Sequence, residues 1–411
     1  MTKVLIVGGG ASGMVSAIYA SKNNNEVILC DKNNNLGKKI LMTGNGKCNY
    51  WNSDINLKHY NSYDMDILDK IITEDNKLEI EKFFDRLGIV PKIRDGYYYP
   101  SSNQATSIQT ALILECELCG VEILNNEEVL SLNRKDNGFE VITTRKKMNV
   151  DKVILATGSK ACSKTGSDGF GYEVASRLGL EIIEPLPALV QLKLNETFLK
   201  EWQGIRSDVL VKLYENDKLV KQSVGEIQLT DYGVSGICIY QLSSLISRGI
   251  YDFNREEIEI NFLNSLNIDN EDEFIDYFDN RNEIVLNRNI SQLLDGILNY
   301  KLINLLLKLC KIDRDSYWSD ISIERKKKLG NSLTKLRLEV VGTNSFDSAQ
   351  VCSGGVRLRE INPYTMEVKK IPGLYLVGEV LDVDGECGGF NLGFAWISGY
   401  LAGNSMGDVN D

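Results

Sequence analysis

Hydrophobic residues fall into three textures along this chain. Val4–Val7 is a short unbroken apolar run, the mark of a strand covered on both faces. It passes through Gly8-Gly9-Gly10-Ala11-Ser12-Gly13 into Met14–Ala20, which has helical character, and Glu26–Cys30 predicts a second buried strand. Val129–Leu132, Phe139–Thr143 and Val150–Leu155 predict a three-strand meander, with Asp136-Asn137-Gly138 as its first turn. Near the C-terminus the apolar strand Leu374–Val377 precedes a helix expected from Gly388-Gly389-Phe390-Asn391 to Tyr400. Between these ends, Val190–Leu194, Val209–Tyr214, Ile227–Thr230 and Ile258–Phe262 read as strands. From Asn270 the texture turns helical: Phe274, Ile275 and Phe278 share a face, and Ile290–Leu309 repeats apolar residues at i, i+3 and i+4.

With 411 residues, two or three compact units are expected. The 46 Lys and Arg against 57 Asp and Glu give a formal charge of −11, with 43% hydrophobic and 25% charged residues, so a disordered tail and a strongly basic nucleic-acid module are excluded. No apolar run is long enough to span a bilayer, and Val4–Val7 is too short for the core of a signal peptide, so a cytoplasmic location is expected. Nine scattered cysteines suit free thiols in a reducing compartment. A single histidine, His59, makes a multi-histidine metal site or a Ser-His-Asp triad a poor reading, and the polar stretch around it predicts a surface residue.

Strand, glycine turn, helix and second strand arrive in the order a dinucleotide cradle requires. Gly8 permits the tight turn, Gly10 lets a pyrophosphate approach, and Gly13 lets helix pack on strand; the amides around Ala11 and Ser12 open the helix, whose N-terminus favours phosphate. Asp31 stands 18 positions after Gly13, where a carboxylate accepts from an adenosine ribose. A meander beginning at Val129 and ending in Ala156-Thr157-Gly158 resembles that of two-dinucleotide-binding-type flavoproteins, a resemblance that implies FAD in preference to NAD. In that architecture the returning strand brings Gly378-Glu379 to the ribitol. The following helix aims its N-terminus, opened by Gly388 and Gly389, at the pyrimidine end of the flavin, where two-electron reduction places negative charge.

The blocks Lys38–Asn49, Gly354-Gly355-Val356, Thr365–Lys369 and Gly373–Gly385 make the chain similar to the bacterial YhiN/BaiN/RdsA flavoproteins, close to the branch labelled aminoacetone oxidase-like. The resemblance implies an α/β fold: a discontinuous Rossmann-type FAD-binding domain over 1–186 and 347–411, a β-rich cap lobe over 187–268 and a small helical lobe over 269–346. It extends the implied cofactor contacts to Lys32 and Lys39, to Thr43, Gly44, Asn45, Gly46 and Asn49, and to Phe390, Asn391 and Leu392. Where many relatives read Thr-His-x-Gly-x-Ser-Gly-Pro, this chain has Thr230-Asp231-Tyr232-Gly233-Val234-Ser235-Gly236-Ile237, so Asp231 replaces an imidazole.

The expected activity is FAD-dependent hydride exchange between flavin N5 and a substrate carbon, either oxidation of a small amine or reduction of a conjugated C=C, with transient NAD(P)H as a possible reductant. Cys48, Cys387 and Asp231 are the candidate acids. A redox disulfide at Cys48 is disfavoured because position 53 is serine, and the Cys116/Cys119 pair at a helix end reads as core. Tyr97 and Tyr99 share a strand face and either line the substrate cavity or pack beneath the cap. Two alternatives stand beside the small-molecule enzyme: a ribosomal-RNA dihydrouridine synthase, with Arg325-Lys326-Lys327-Lys328 among its phosphate contacts, and a flavin-binding sensor without turnover.

Overall fold

The computed structural model describes residues 1–407. It divides into two compact units, Met1–Leu186 together with the chain from Gln350, and Pro187–Ala349.

The first unit is built on a five-stranded parallel sheet. Its strands are β1 (Lys3–Val7), β2 (Glu26–Asp31), β3 (Glu122–Asn125), β4 (Lys152–Leu155) and β5 (Leu374–Leu376), in spatial order β5-β4-β1-β2-β3. β1 is central, with Val4 opposite Lys152 on one side and Lys3 opposite Glu26 on the other. Such a strand is covered on both faces, which is why Val4–Val7 is apolar at every position.

Helices α1 (Ala11–Lys22) and α2 (Phe390–Asn404), from opposite ends of the sequence, cross at small residues. A Cβ on Gly399 would stand 2.5 Å from the Ser12 carbonyl oxygen, and one on Gly403 the same distance from that of Ser16. The Ser16 hydroxyl donates to the Gly399 carbonyl at 3.1 Å. Glycines one turn apart thus remove the steric barrier to backbone contact, and the two ends of the chain share one hydrophobic core.

The meander departs from expectation. Val129–Arg134, Phe139–Thr143 and Lys147–Val150 form its three antiparallel strands, whereas Lys152–Leu155 leaves it to join the parallel sheet. The continuous run Val150–Leu155 therefore breaks at Asp151, whose carboxylate accepts the Lys3 amide at 2.7 Å and pins the switch beside β1.

The second unit is a closed six-stranded barrel with helices packed on it. Barrel order is Leu192–Leu194, Gly233–Gly236, Lys218–Leu229, Arg206–Glu215, Glu256–Asn261 and Leu336–Thr343, the last pairing back to the first. Leu336–Thr343 corrects the reading of 269–346 as helical: the helices end at Thr334, and Leu338 and Val340 then alternate inward. The division into a β lobe and a separate helical lobe is corrected too, because one hydrophobic core joins barrel residues such as Val211 and Ile258 to helical residues such as Phe274 and Leu306. The helical spacing over Ile290–Leu309 resolves into two helices, Ile290–Asp295 and Tyr300–Leu309, each opened by a capping asparagine, Asn289 and Asn299. Among the described residues, no helix is long and apolar enough to cross a membrane.

Candidate functional site

The glycines after β1 have distinct physical reasons. Gly8 has φ +105°, and a Cβ there would lie 2.4 Å from the Ala156 carbonyl oxygen; one on Gly13 would lie 1.9 Å from that of Gly8. Gly10 is different. It caps α1 with extended backbone (φ −79°, ψ −165°), and its Cβ would meet no atom within 4 Å. The fold leaves room for a side chain there, so the smooth backbone serves the space in front of the helix. The first intrahelical bond runs from Met14 to Gly10 (3.0 Å), so the Ala11, Ser12 and Gly13 amides precede the ladder and suit an anion.

Asp31, at the end of β2, is almost fully buried and oriented by two amides, Gly9 at 2.8 Å and Asn33 at 2.7 Å. Each carboxylate oxygen keeps a lone pair for a hydroxyl. Beside Ala156 and Gly158, the Thr157 hydroxyl is buried against Gly171 without a hydrogen-bond partner. These features fit an adenosine diphosphate moiety. Lys32 is engaged elsewhere, in a 2.5 Å ion pair with Asp168.

After β5, the chain turns through Gly378, where a Cβ would strike the Ser12 hydroxyl at 2.5 Å, and reaches Glu379. The Glu379 carboxylate accepts from Lys39 Nζ at 2.5 Å and Ser159 Oγ at 2.9 Å. Both charges are mostly covered, and the pair ties the 38–42 helix to the C-terminal segment beside the cradle.

The loop from Thr43 makes two consecutive left-handed steps, Gly44 (φ +54°) and Asn45 (φ +59°), passes Gly46, and carries Cys48 in the same conformation (φ +58°). The Cys48 thiol is fully buried in the core, and burial pushes it up to about 12. The Asn49 side-chain amide donates to the Tyr98 and Trp51 carbonyls, at 3.1 and 2.9 Å, and so holds the loop on the short strand Tyr97–Pro100.

That strand also reaches the third segment. A Cβ on Gly388 would stand 2.6 Å from the Tyr97 ring, and one on Gly44 would stand 3.4 Å from the Tyr99 ring. Tyr97 and Tyr99 therefore bridge two glycine turns that are more than 340 residues apart in sequence. Asn52 donates to the Gly388 carbonyl at 2.8 Å, Gly389 (φ +92°) caps α2, and Asn391 exchanges two hydrogen bonds with the Gly385 backbone at 2.8 and 2.7 Å. Burial pushes the Cys387 thiol up to about 12 and raises both phenols. At neutral pH all three stay protonated.

His59 is not the surface residue expected. Its Nδ1 lies 2.8 Å from Glu386, its Nε2 lies 2.9 Å from Asp54, and its ring stacks on Phe390 with centroids 4.4 Å apart. One partner is 327 positions away, so no local pattern could reveal it. Phe390 and Val129 are buried, and Leu392 packs on the same core. All the expected cofactor residues, with Cys48 and Cys387, thus belong to the first unit. Asp231 does not: it is an exposed residue on the tight turn between barrel strands of the second unit.

Comparison with known proteins agrees with this geometry. The model of the HI0933-like protein Rossmann domain family matches residues 2–405. A 3-dehydro-bile acid delta(4,6)-reductase of Clostridium scindens is 36% identical over 99% of this chain and 100% of its own length. The ribosomal RNA dihydrouridine synthase of Escherichia coli is 27% identical over 98% of this chain and 97% of its own. Among solved structures, the 3-ketosteroid delta1-dehydrogenase of Sterolibacterium denitrificans superposes with a TM-score of 0.50 at 10% identity, covering 99% of both chains, which is a likeness of fold.

Proposed function

We propose, for a chain that belongs to the HI0933-like Rossmann-domain family, that the reaction is reduction of a C=C bond conjugated to a carbonyl in a small, largely apolar ketone. The protein is an FAD-dependent oxidoreductase. The observation that carries the finer reading is the full-length 36% identity to a reductase of such a bond, joined to a cradle whose glycines and acid suit FAD.

The α1 N-terminus, with Gly10 left bare, would hold the pyrophosphate; Asp31 and Glu379 would take the ribose and ribitol hydroxyls. When bound, FAD supplies the hydride to the substrate carbon. Cys387 and Tyr97, kept neutral by burial, would supply the proton to the neighbouring carbon. Cys48, sealed in the core, supports its loop. Electrons would come from NADH or NADPH visiting from solution, because the chain has one G-x-G-x-x-G, at Gly8–Gly13, and FAD takes it. We place the protein in the cytoplasm, where nine free thiols persist.

The RNA reading gains little from the basic run. Lys326 sits over Trp318, 4.2 Å from the ring centroid, Lys327 pairs with Asp272 at 3.2 Å, and Lys328 donates to the Leu309 carbonyl at 3.0 Å, so these charges are engaged within their own unit. The test is anaerobic stopped flow: NADH or NADPH bleaches the flavin, and a 3-oxo-4-ene steroid restores its colour. Failure of the enone to reoxidise it, with rapid reoxidation by air, would favour the amine-oxidising chemistry.

A further inference from the structure

The single histidine of the chain is an ionisable group, partnered on both ring nitrogens, that the proposed reaction leaves unused. Both ring nitrogens of His59 face carboxylate oxygens, which only accept, so the arrangement is satisfied when both nitrogens carry protons. Its side chain is 18% exposed, and Phe390, the first residue of α2, covers one face of the ring. The backbone repeats the connection: Glu386 donates to the His59 carbonyl at 2.9 Å, Gly385 pairs with Tyr60, and Asp384 pairs with Asn61. The imidazole is thus fastened to the segment that runs through Cys387 and Gly388 into the helix.

We propose that His59 is a positioning residue whose positive charge, delivered through Glu386 and Phe390 to the turn that opens α2, raises the reduction potential of the flavin held there. This rests on the flavin reading above. Reduction adds negative charge to the cofactor, and a fixed cation beside the helix N-terminus favours the reduced form as the helix end itself does. The charged groups on the ring are Asp54, which also pairs with Lys58, and Glu386 from the C-terminal segment; Cys387 follows Glu386, and Tyr97 lies within electrostatic reach of both. Hydrogen bonds from Lys58 and His59 hold the Asp54 carboxyl down at about 2, and burial pushes Cys387 up to about 12. Neither changes charge near neutrality.

The experiment is spectroelectrochemical titration of the FAD bound to the full-length protein, across about pH 5.5 to 9, for wild type, His59→Gln, His59→Lys and Glu386→Gln. His59→Gln is expected to lose about tenfold of the preference for reduced over oxidised FAD, which is ~30 mV for a two-electron couple. It should also lose an inflection that wild type shows in potential against pH. His59→Lys, which keeps the charge, should recover most of the potential, and Glu386→Gln should weaken the inflection. A wild-type potential and pH profile in His59→Gln, with only a lowered melting temperature, would overturn the proposal and leave the flavin reading intact. Should His59→Gln not fold, an unchanged pH profile in Glu386→Gln would overturn it equally. A wild-type protein that binds no flavin would instead remove the reading on which the proposal stands.

Discussion

Gly13 approaches Gly8 so closely that a Cβ on Gly13 would lie 1.9 Å from the Gly8 carbonyl oxygen, while a Cβ on Gly10, three residues earlier, would touch nothing. Two glycines of one motif therefore answer to different demands, packing in one case and a ligand in the other. Gly13→Ala is expected to force helix α1 away from β1 and to cost about 1–3 kcal/mol. Urea unfolding of the two proteins checks this; an unchanged midpoint would show that the turn relaxes freely.

Tyr97 and Gly388 form the second close contact. Tyr97→Phe keeps the ring and removes the hydroxyl, so enone reduction should slow by about 100-fold, with the melting temperature little changed. Pre-steady-state rates of flavin reoxidation by the enone measure it. A rate within about twofold of wild type would leave Cys387 as the acid.

Thiol labelling distinguishes the sealed Cys48 from the partly exposed cysteines. Cys48 is fully buried and pushed up to about 12, so little of it is thiolate at pH 8, while Cys119, Cys162 and Cys387 are partly exposed. Iodoacetamide should leave Cys48 unmodified in the folded protein while the partly exposed thiols react, as peptide mass mapping would show. Rapid modification of Cys48 would contradict its burial.

In the barrel unit, Glu256 lies opposite Glu215 on paired strands and is almost fully buried. Burial and the Glu215 charge push its carboxyl up to about 7. The folded state then binds this proton more tightly than the unfolded chain, whose Glu titrates near about 4.3. The resulting stabilisation is complete below that value and disappears as pH rises through about 7. Wild type should lose stability between about pH 5 and pH 8, and Glu256→Gln should flatten that part of the profile. Parallel slopes in the two proteins would place the proton elsewhere.

What the sequence made legible was local. Gly8, Gly10, Gly13 and Asp31 lie within the first 31 residues, and their spacing alone carries the cradle geometry. The strand break at Asp151 was hidden because its cause is a hydrogen bond to Lys3, 148 positions away. The barrel strand Leu336–Thr343 follows directly on a helix, and its alternation acquires meaning only once it pairs with Glu256–Asn261. His59 was misread because a polar loop says nothing of a carboxylate brought in from Glu386. Tyr97 and Tyr99 were read onto one strand face, but the glycine turns they touch became visible only when the two ends of the chain met.

The central claim, that the N-terminal turn and the C-terminal helix hold one FAD, is tested most directly by the visible absorption spectrum of the purified protein and of Gly10→Glu. The open space at Gly10 accommodates the new side chain without strain, but its carboxylate would occupy and repel the pyrophosphate position. Wild type should be yellow, with about one FAD per chain, and Gly10→Glu should be colourless with an unchanged melting transition. A colourless wild type, or a folded Gly10→Glu that keeps its flavin, would contradict the account.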